Sequence, residues 1–63
     1  MADRAFTVGC MAGPVVRNRL RSRDIEFECI NKWPYEEFRF SSLMEFQLAR
    51  AVIDNMKVRT FDG

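Results

Sequence analysis

Cys10 is the residue whose type and position could do covalent chemistry. It lies in the segment GCMAGP, where Gly9 and Gly13 give a flexible turn and Pro14 suits the first turn of a helix. A thiolate placed just before a helix N-terminus is stabilised by unpaired backbone amides and by the helix dipole. The sequence therefore predicts Cys10 as a candidate catalytic thiol. The alternative is a small cysteine that packs at the end of a strand.

Other residue types narrow the chemistry that is open to the chain. Its 63 residues include two cysteines and no histidine, which removes the commonest general base and the commonest metal ligand. Cys29 alternates with Ile25 and Phe27 and is predicted to be a core residue. Because no nucleotide-binding loop, zinc spacing or Ser/His/Asp set occurs, we expect no metal site and no cofactor.

Three aromatic residues are candidates for contact with a partner. Trp33, Tyr35 and Phe38 cluster in and after the turn NKWPY. Trp, Tyr and Arg dominate interface hot spots, so these rings could form an anchor. A lid over the end of the sheet is the alternative.

An arginine-rich helix is the second candidate surface. Arg17 and Arg21 lie four residues apart on one stripe, which we assign with the three aromatic residues to the binding surface, while Arg19 and Arg23 lie on another stripe. Alternate arginines spread around a helix, and nearby glutamates could neutralise them. The net charge of +1 also argues against a nucleic-acid or membrane surface.

The elements that must position these side chains follow from the pattern of the sequence. We predict a strand at 5–10, a helix from Pro14 to about Arg23, a strand at 25–31, a turn at 31–35, a possible strand at 37–40, a helix at 42–55 and a last strand at 57–61 ended by Asp62-Gly63. Ser42 and Glu45 match a capping box. The apolar stripe of the second helix contains Met44, Leu48, Ala51 and Val52, widened by Phe46, Ala49 and Ile53. That stripe is wider than a small sheet needs.

This order, βαβ(β)αβ, predicts a small α/β (α+β) fold with one sheet and two helices. All residues, 1–63, are expected to form a single domain. The order is that of the ferredoxin-like split βαβ arrangement, which can close within this length.

The stretch from Cys10 to Asn31 resembles the start of the glutaredoxins, in particular the small hydrogen donors of ribonucleotide reductase. These proteins begin with a strand, a C-x-x-C turn, a helix with a basic residue and a Leu, and a strand similar to G-I-E-F-E-x-I followed by D or N. The matching residues are Cys10, Arg17, Leu20, Ile25, Phe27, Glu28, Ile30 and Asn31. The resemblance covers about a third of the chain and implies a thioredoxin-like fold, truncated here, as the second architecture.

The chain also departs from that family. Gly13 occupies the position of the second cysteine, and Arg59 stands where the family's T-V-P segment has its proline. The chain stops at Gly63, before the final strand and helix of the family's fold. One thiol excludes dithiol exchange at this site. The resemblance then implies at most monothiol chemistry, in which Cys10 attacks a glutathione mixed disulfide.

A second resemblance lies at the other end of the chain. The segment ARAVIDNMKVRTFDG (Ala49–Gly63) is similar to the tail of the small antitoxin with which T-even phages block host mRNA-cleaving toxins. The matching residues are Ala51, Ile53, Asp54, Lys57 and Val58. This similarity implies a phage-type inhibitor.

The functional expectation follows from what the chain has and what it lacks. It is 48% hydrophobic with six Phe, so some apolar surface is expected to serve a partner. The sequence favours a small binding or inhibitor-type protein that acts by contact with a protein partner over an enzyme, and its profile is typical of viral or mobile-element inhibitors. A homo-oligomer is an open alternative. The other function is a monothiol redox protein that uses Cys10 and glutathione. Two reduced cysteines and no signal or membrane-spanning segment predict a cytoplasmic location.

Overall fold

The architecture comes from a computed structural model that describes residues 4–61. Within that range the chain forms strand β1 (Ala5–Gly9), helix α1 (Gly13–Ser22), strand β2 (Glu28–Lys32), strand β3 (Tyr35–Arg39) and helix α2 (Leu43–Met56). The three strands form one antiparallel sheet in the order β1-β3-β2. This is a small α+β domain, which confirms the predicted fold class. The predicted end at Asp62-Gly63 lies outside the described residues.

Strand β3 lies between the two strands that α1 connects. Because β1 and β2 are both antiparallel to β3, they run parallel to each other, and β3 separates them in the sheet. Of the two architectures considered, this is the split βαβ order.

The hairpin of β2 and β3 confirms the strand that the sequence left open at 37–40. Strand β3 begins at Tyr35, two residues before the predicted start at Glu37. The turn before it contains Trp33 and Pro34, which are joined by a cis peptide bond. Strand β2 starts at Glu28 rather than at residue 25. The chain first bends at Asp24, which has a φ of 57°, and the amide of the next residue donates to the Leu20 carbonyl at 3.1 Å.

The predicted last strand at 57–61 is present only as a single bridge. Thr60 pairs with Val8 in an antiparallel bridge, and the Phe61 amide donates to the Thr7 carbonyl at 2.8 Å. This segment therefore lies along the outer edge of β1. It leaves α2 through Lys57, whose φ of 58° is left-handed.

Both helices cover the same face of the sheet, and the core lies between them. The buried residues are Phe6, Val8, Val16, Leu20, Ile25, Phe38, Phe40, Ala49, Val52 and Ile53. The rings of Phe6 and Phe38 are 5.6 Å apart across the β1–β3 pair, and Phe46 of α2 packs 6.4 Å from Phe6. Residues alternate between faces along a strand, so the opposite face of β3 carries Tyr35 and its odd-numbered neighbours.

Helix α2 begins at the predicted cap. The Ser42 hydroxyl accepts a hydrogen bond from the Glu45 amide at 3.1 Å, as the sequence predicts. The Glu45 carboxylate accepts from the Ser42 hydroxyl at 3.3 Å and from the Glu26 amide at 3.2 Å. The cap thus ties α2 to the segment that precedes β2.

The buried face of α2 is narrower than the predicted stripe. Ala49, Val52 and Ile53 are buried, whereas Met44 and Leu48 are 72% and 52% exposed. Met44 and Leu48, in the N-terminal half of α2, are therefore not covered by the three described strands or by α1. Within residues 4–61, no helix has the length and apolar content that crossing a membrane requires.

Candidate functional site

Cys10 lies in the loop between β1 and α1 and is half-buried as a free thiol. Its amide donates to the Pro34 carbonyl at 3.0 Å, which joins this loop to the hairpin turn. Helix α1 begins at Gly13 with Ala12 as its N-cap and has no side-chain cap. The predicted position of the thiol, just before a helix, is therefore present.

The carboxylate of Glu36 lies against this helix N-terminus. A Cβ atom built on Gly13 would overlap the Glu36 carboxylate, so only glycine leaves it this space. A helix N-terminus favours a nearby negative charge. In this fold the Glu36 carboxylate supplies that charge.

Glu36 also joins two other side chains beneath α1, and we call the three the Glu36 cluster: Arg17, Cys29 and Glu36. The Arg17 guanidinium forms an ion pair with the Glu36 carboxylate. The Cys29 thiol donates to Glu36 Oε1 at 3.4 Å, and Arg17 Nη1 lies 3.8 Å from Cys29 Sγ. Cys29 packs against the core, as predicted, but it is only half-buried and its thiol belongs to this polar cluster.

The environment of Cys29 keeps its thiol protonated. Burial raises the pKa of Cys29 above its ordinary value, and the Glu36 carboxylate raises it further, while Arg17 acts in the opposite direction. A thiol that holds its proton is a poor nucleophile. Within residues 4–61, no group of three cysteine, aspartate or glutamate side chains could hold a metal ion.

The two cysteines lie too far apart for a disulfide in this fold. Cys10 is opposite Pro34 at one side of β3, and Cys29 is opposite Phe38 at its other side. Four residues of strand span roughly 13 Å, whereas a disulfide joins Cα atoms less than about 7 Å apart.

The predicted aromatic anchor is divided among three environments. Trp33 is 78% exposed in the hairpin turn, and Tyr35 is 40% exposed with its ring 5.1 Å from that of Phe61. Phe38 is fully buried, which corrects its assignment to the binding surface. Tyr35 and Phe38 are three residues apart on one strand, so their side chains point to opposite faces.

The predicted arginine stripe is also engaged within the fold. Arg17 belongs to the Glu36 cluster, and Arg21 Cζ lies 5.8 Å from the centre of the Phe27 ring. Arg19 and Arg23 are exposed and have no carboxylate partner among residues 4–61. Arg21 is exposed as well and has no carboxylate partner in this range, so of the two predicted stripe residues only Arg17 is neutralised.

Two exposed apolar residues at the end of the sheet that carries the hairpin turn were not predicted. Met11 is 91% exposed in the Cys10 loop, and Val15 is 54% exposed in the first turn of α1. Together with Trp33 they form what we call the loop-end surface: Met11, Val15 and Trp33. The available signal was Met11 itself, an apolar residue in a turn bracketed by glycines, where no core face is expected.

Comparison with protein-family models, with curated proteins and with solved structures gives no match for this chain.

Proposed function

We propose that this chain is a small binding protein of the inhibitor type, which acts by contact with a protein partner through the loop-end surface. The observation that carries the proposal is the exposure of Met11, Trp33 and Val15, at 91%, 78% and 54%, at one end of a small fold. Burying an apolar side chain of this size is worth about 1.5–3 kcal/mol, so covering this surface favours association.

The backbone brings the segments that carry the three residues to the same end of the sheet. The hydrogen bond from the Cys10 amide to the Pro34 carbonyl, at 3.0 Å, joins the loop of Met11 to the turn of Trp33. Val15 lies in the first turn of α1, which follows this loop directly. Holding the segments in place before binding lowers the conformational entropy that association loses.

The charge beside this patch indicates the chemistry of the partner. Arg19 and Arg23 continue the same four-residue spacing from Val15 and are exposed. An apolar centre with charged residues at its rim is typical of a protein interface. The partner proposed here therefore has an apolar pocket bordered on one side by carboxylates.

The proposed location is the cytoplasm. Both cysteines are free, and the fold holds them too far apart to pair with each other. A reducing compartment suits such a protein. The phage-type source and the descent from a glutaredoxin-like scaffold are proposals that depend on the two sequence resemblances.

Affinity capture with matched variants tests the proposal. Tagged wild type, Trp33→Ala and Met11→Ala are used to capture proteins from the cells that express the chain, and the protein retained by the wild type is purified for binding measurements. Hot-spot residues contribute 2 kcal/mol or more, so Trp33→Ala is expected to weaken its binding by roughly thirtyfold. Arg19→Ala is expected to weaken it less, and the difference should fall at high salt.

Leu48→Ala is the control, because Leu48 is 52% exposed on α2, away from the loop-end surface. It is expected to bind as the wild type does. Failure of the wild type to retain a protein, or equal losses for Trp33→Ala and Leu48→Ala, would contradict the proposal.

The monothiol redox function is the second candidate, because Cys10 lies in the loop-end segment as a free, half-buried thiol. In that function the Cys10 thiolate attacks a glutathione mixed disulfide, forms a new disulfide to one half and releases the other as a thiol. A glutathione-coupled disulfide reduction assay with wild type and Cys10→Ser tests it. Turnover that Cys10→Ser abolishes would support this candidate, and equal rates for the two proteins would exclude it.

A further inference from the structure

The two edges of the sheet differ in how they are covered. The outer edge of β1 is lined by the segment at 58–61, through the Val8–Thr60 bridge and the bond from the Phe61 amide. The outer edge of β2 has no strand or segment paired with it among residues 4–61. An uncovered edge offers unpaired N–H and C=O groups to another chain.

The hydrogen bonds of the sheet identify which groups of β2 face outward. The Phe40 amide donates to the Arg4 carbonyl, and the Cys10 amide donates to the Pro34 carbonyl. Phe40 and Pro34 flank β3 at its two ends, so the even-numbered residues of β3 form the backbone hydrogen bonds to β1. In an antiparallel sheet the bonding direction alternates along the strand, so odd-numbered residues of β3 bond to β2. Their partners in β2 are Glu28, Ile30 and Lys32. The backbone groups of Cys29 and Asn31 therefore face the open edge.

The residues of β2 are complementary to themselves in one antiparallel register. The strand reads Glu28-Cys29-Ile30-Asn31-Lys32. When two copies pair about Ile30, Glu28 of each copy lies opposite Lys32 of the other. Opposite charges that face each other across strands stabilise the pair, whereas like charges destabilise it.

We propose that the open edge of β2 binds the same edge of a second copy of this chain, antiparallel and centred on Ile30. The result is a two-fold symmetric dimer in which the three strands described within residues 4–61 of each copy join in one continuous sheet. The outward groups of Cys29 pair with those of Asn31 on the other copy. The two Ile30 side chains then meet at a non-hydrogen-bonded position, where cross-strand side chains approach most closely.

The charges select this register over its neighbours. The outward N–H and C=O groups belong to odd-numbered residues, so they form hydrogen bonds only when odd-numbered residues of the two copies lie opposite each other. The nearest alternative registers are therefore shifted by two residues. One of them places Lys32 opposite Ile30, and the other places Glu28 opposite Ile30. Both lose the two ion pairs, and neither brings the apolar residues together.

The dimer does not depend on the proposed function, because its contacts are made by β2 and not by Met11 or Val15 of the loop-end surface. A five-residue strand pair is a small interface, so association is expected to be weak, with a Kd in roughly the micromolar to millimolar range. Lys32 also pairs with Glu37 at 2.7 Å within one copy, and at 56% exposure its side chain remains accessible. Met11→Ala is expected to leave the dimer intact, which separates the two proposals experimentally.

Sedimentation of charge variants tests the pairing. The wild type is expected to shift from 7.4 kDa to twice that mass as its concentration rises to about millimolar. Glu28→Lys alone and Lys32→Glu alone each place like charges opposite each other twice, and each is expected to raise the Kd at least tenfold. An equimolar mixture of the two variants restores opposite charges at both positions and is expected to dimerise as the wild type does.

Proline substitution provides a backbone test with a matched control. The Asn31 amide faces the open edge, so Asn31→Pro removes bonds to the second copy without removing one to β3. It is expected to give a folded monomer, shown by an unchanged circular dichroism spectrum. The Ile30 amide faces β3, so Ile30→Pro is expected to disrupt the hairpin itself.

A wild type that stays at 7.4 kDa at millimolar concentration overturns the proposal. A dimer that persists in folded Asn31→Pro, or a mixture of charge variants that stays monomeric, also overturns it.

Discussion

The carboxylate of Glu36 touches Gly13, Arg17 and Cys29 at once. This contact separates the roles of the two thiols, because Cys29 is held as a hydrogen-bond donor while Cys10 remains in a loop. It also explains why α1 begins with glycine. The residue type at the start of α1 therefore depends on a glutamate from a strand 23 positions further along the chain.

Gly13→Ala should reveal this contact through a double-mutant cycle. Replacing glycine by alanine in a helix is normally worth about 0.5–1 kcal/mol of stability. In the wild type the new methyl group displaces the Glu36 carboxylate from Arg17. We expect Gly13→Ala to be at least about 1 kcal/mol less favourable in the wild type than in a Glu36→Ala background, measured by urea unfolding.

Gly9→Ala is the control for this cycle, since a Cβ atom at Gly9 has no atom within 4 Å. Its effect should be the same in both backgrounds. Equal effects of Gly13→Ala in the two backgrounds would show that Glu36 does not occupy this position.

Cys29 should react slowly with alkylating agents. Its raised pKa means that less thiolate is present at pH 8 than in an unfolded chain. In a Cys10→Ser background, which leaves one thiol, we expect the labelling rate with iodoacetamide to be at least tenfold lower in buffer than in urea. Glu36→Gln should raise the rate in buffer, because the carboxylate contributes to the raised pKa. Equal rates in buffer and urea would contradict the described environment.

Glu37 should make stability depend on pH in the acid range. The hydrogen bond with Lys32 lowers the pKa of Glu37 below the ordinary value, and the hydrogen bond with Arg39 acts in the same direction. Burial of the carboxyl group acts in the opposite direction but is outweighed. A depressed carboxyl pKa contributes stability above the unfolded value, and this contribution is lost as pH falls through the folded value.

Both partners of Glu37 are more than half exposed, so the effect should be below about 1 kcal/mol. Glu37→Gln is therefore expected to be slightly less stable than the wild type at pH 7, and the difference should decrease between pH 7 and pH 3. A difference that is the same at the two pH values would indicate a cause other than ionisation. Urea unfolding at the two pH values measures it.

At the scale of elements, the ends of the helices set the connections. Ser42 caps α2, and Glu45 binds the Glu26 amide, so one cap positions both α2 and the chain before β2. At the other end, Lys57 adopts a left-handed conformation that directs the following segment along β1. That segment covers one edge of the sheet and leaves the β2 edge open.

Lys57→Gly should stabilise the protein. A residue with a side chain loses roughly 1 kcal/mol in the left-handed conformation, and glycine does not. We expect a gain of about 0.5–1 kcal/mol in the free energy of unfolding. Lys57→Ala keeps the strained φ of 58° and should show no gain. Equal stabilities of the glycine and alanine variants would contradict this explanation of the helix end.

At the scale of the whole molecule, the fold sorts its aromatic residues between core and surface. Phe38 lies at the centre of the sheet, in contact with Phe6 and Phe27, and is fully buried. Trp33 lies in the hairpin turn and is 78% exposed. A small fold with one thin core has apolar residues left over, and these form the loop-end surface and the outer face of α2.

Substitution of these two residues should separate stability from binding. Truncation of a buried Phe costs about 3–5 kcal/mol, which is comparable to the whole stability expected of a chain this short, so Phe38→Ala should be largely unfolded at 25 °C. Trp33→Ala should change the free energy of unfolding by less than about 0.5 kcal/mol. Circular dichroism and urea unfolding measure both. A folded Phe38→Ala would show that the core is not centred on this residue.

Most of the fold could be predicted because its signals are local. The alternation in β2, the cap at Ser42 and the glycine turn before α1 each depend on neighbours a few residues away. The extent of the last strand could not be predicted in this way, since it depends on how much of β1 the chain can reach after α2.

The sequence by itself determined the order of the elements, the cap of α2 at Ser42 and the glycine turn before α1. It also determined that the chain has more apolar residues than a small core can bury. Only the tertiary structure decided which of those residues are covered, because Met44 and Leu48 are apolar in any fold but the sheet has only three described strands to cover α2. It also decided that Arg17 is neutralised by Glu36, 19 residues away, while Arg19 is left exposed. Such pairings depend on the strand order, in which β3 lies between β1 and β2. This order brings together residues that are far apart in the sequence, so it cannot be predicted from local patterns.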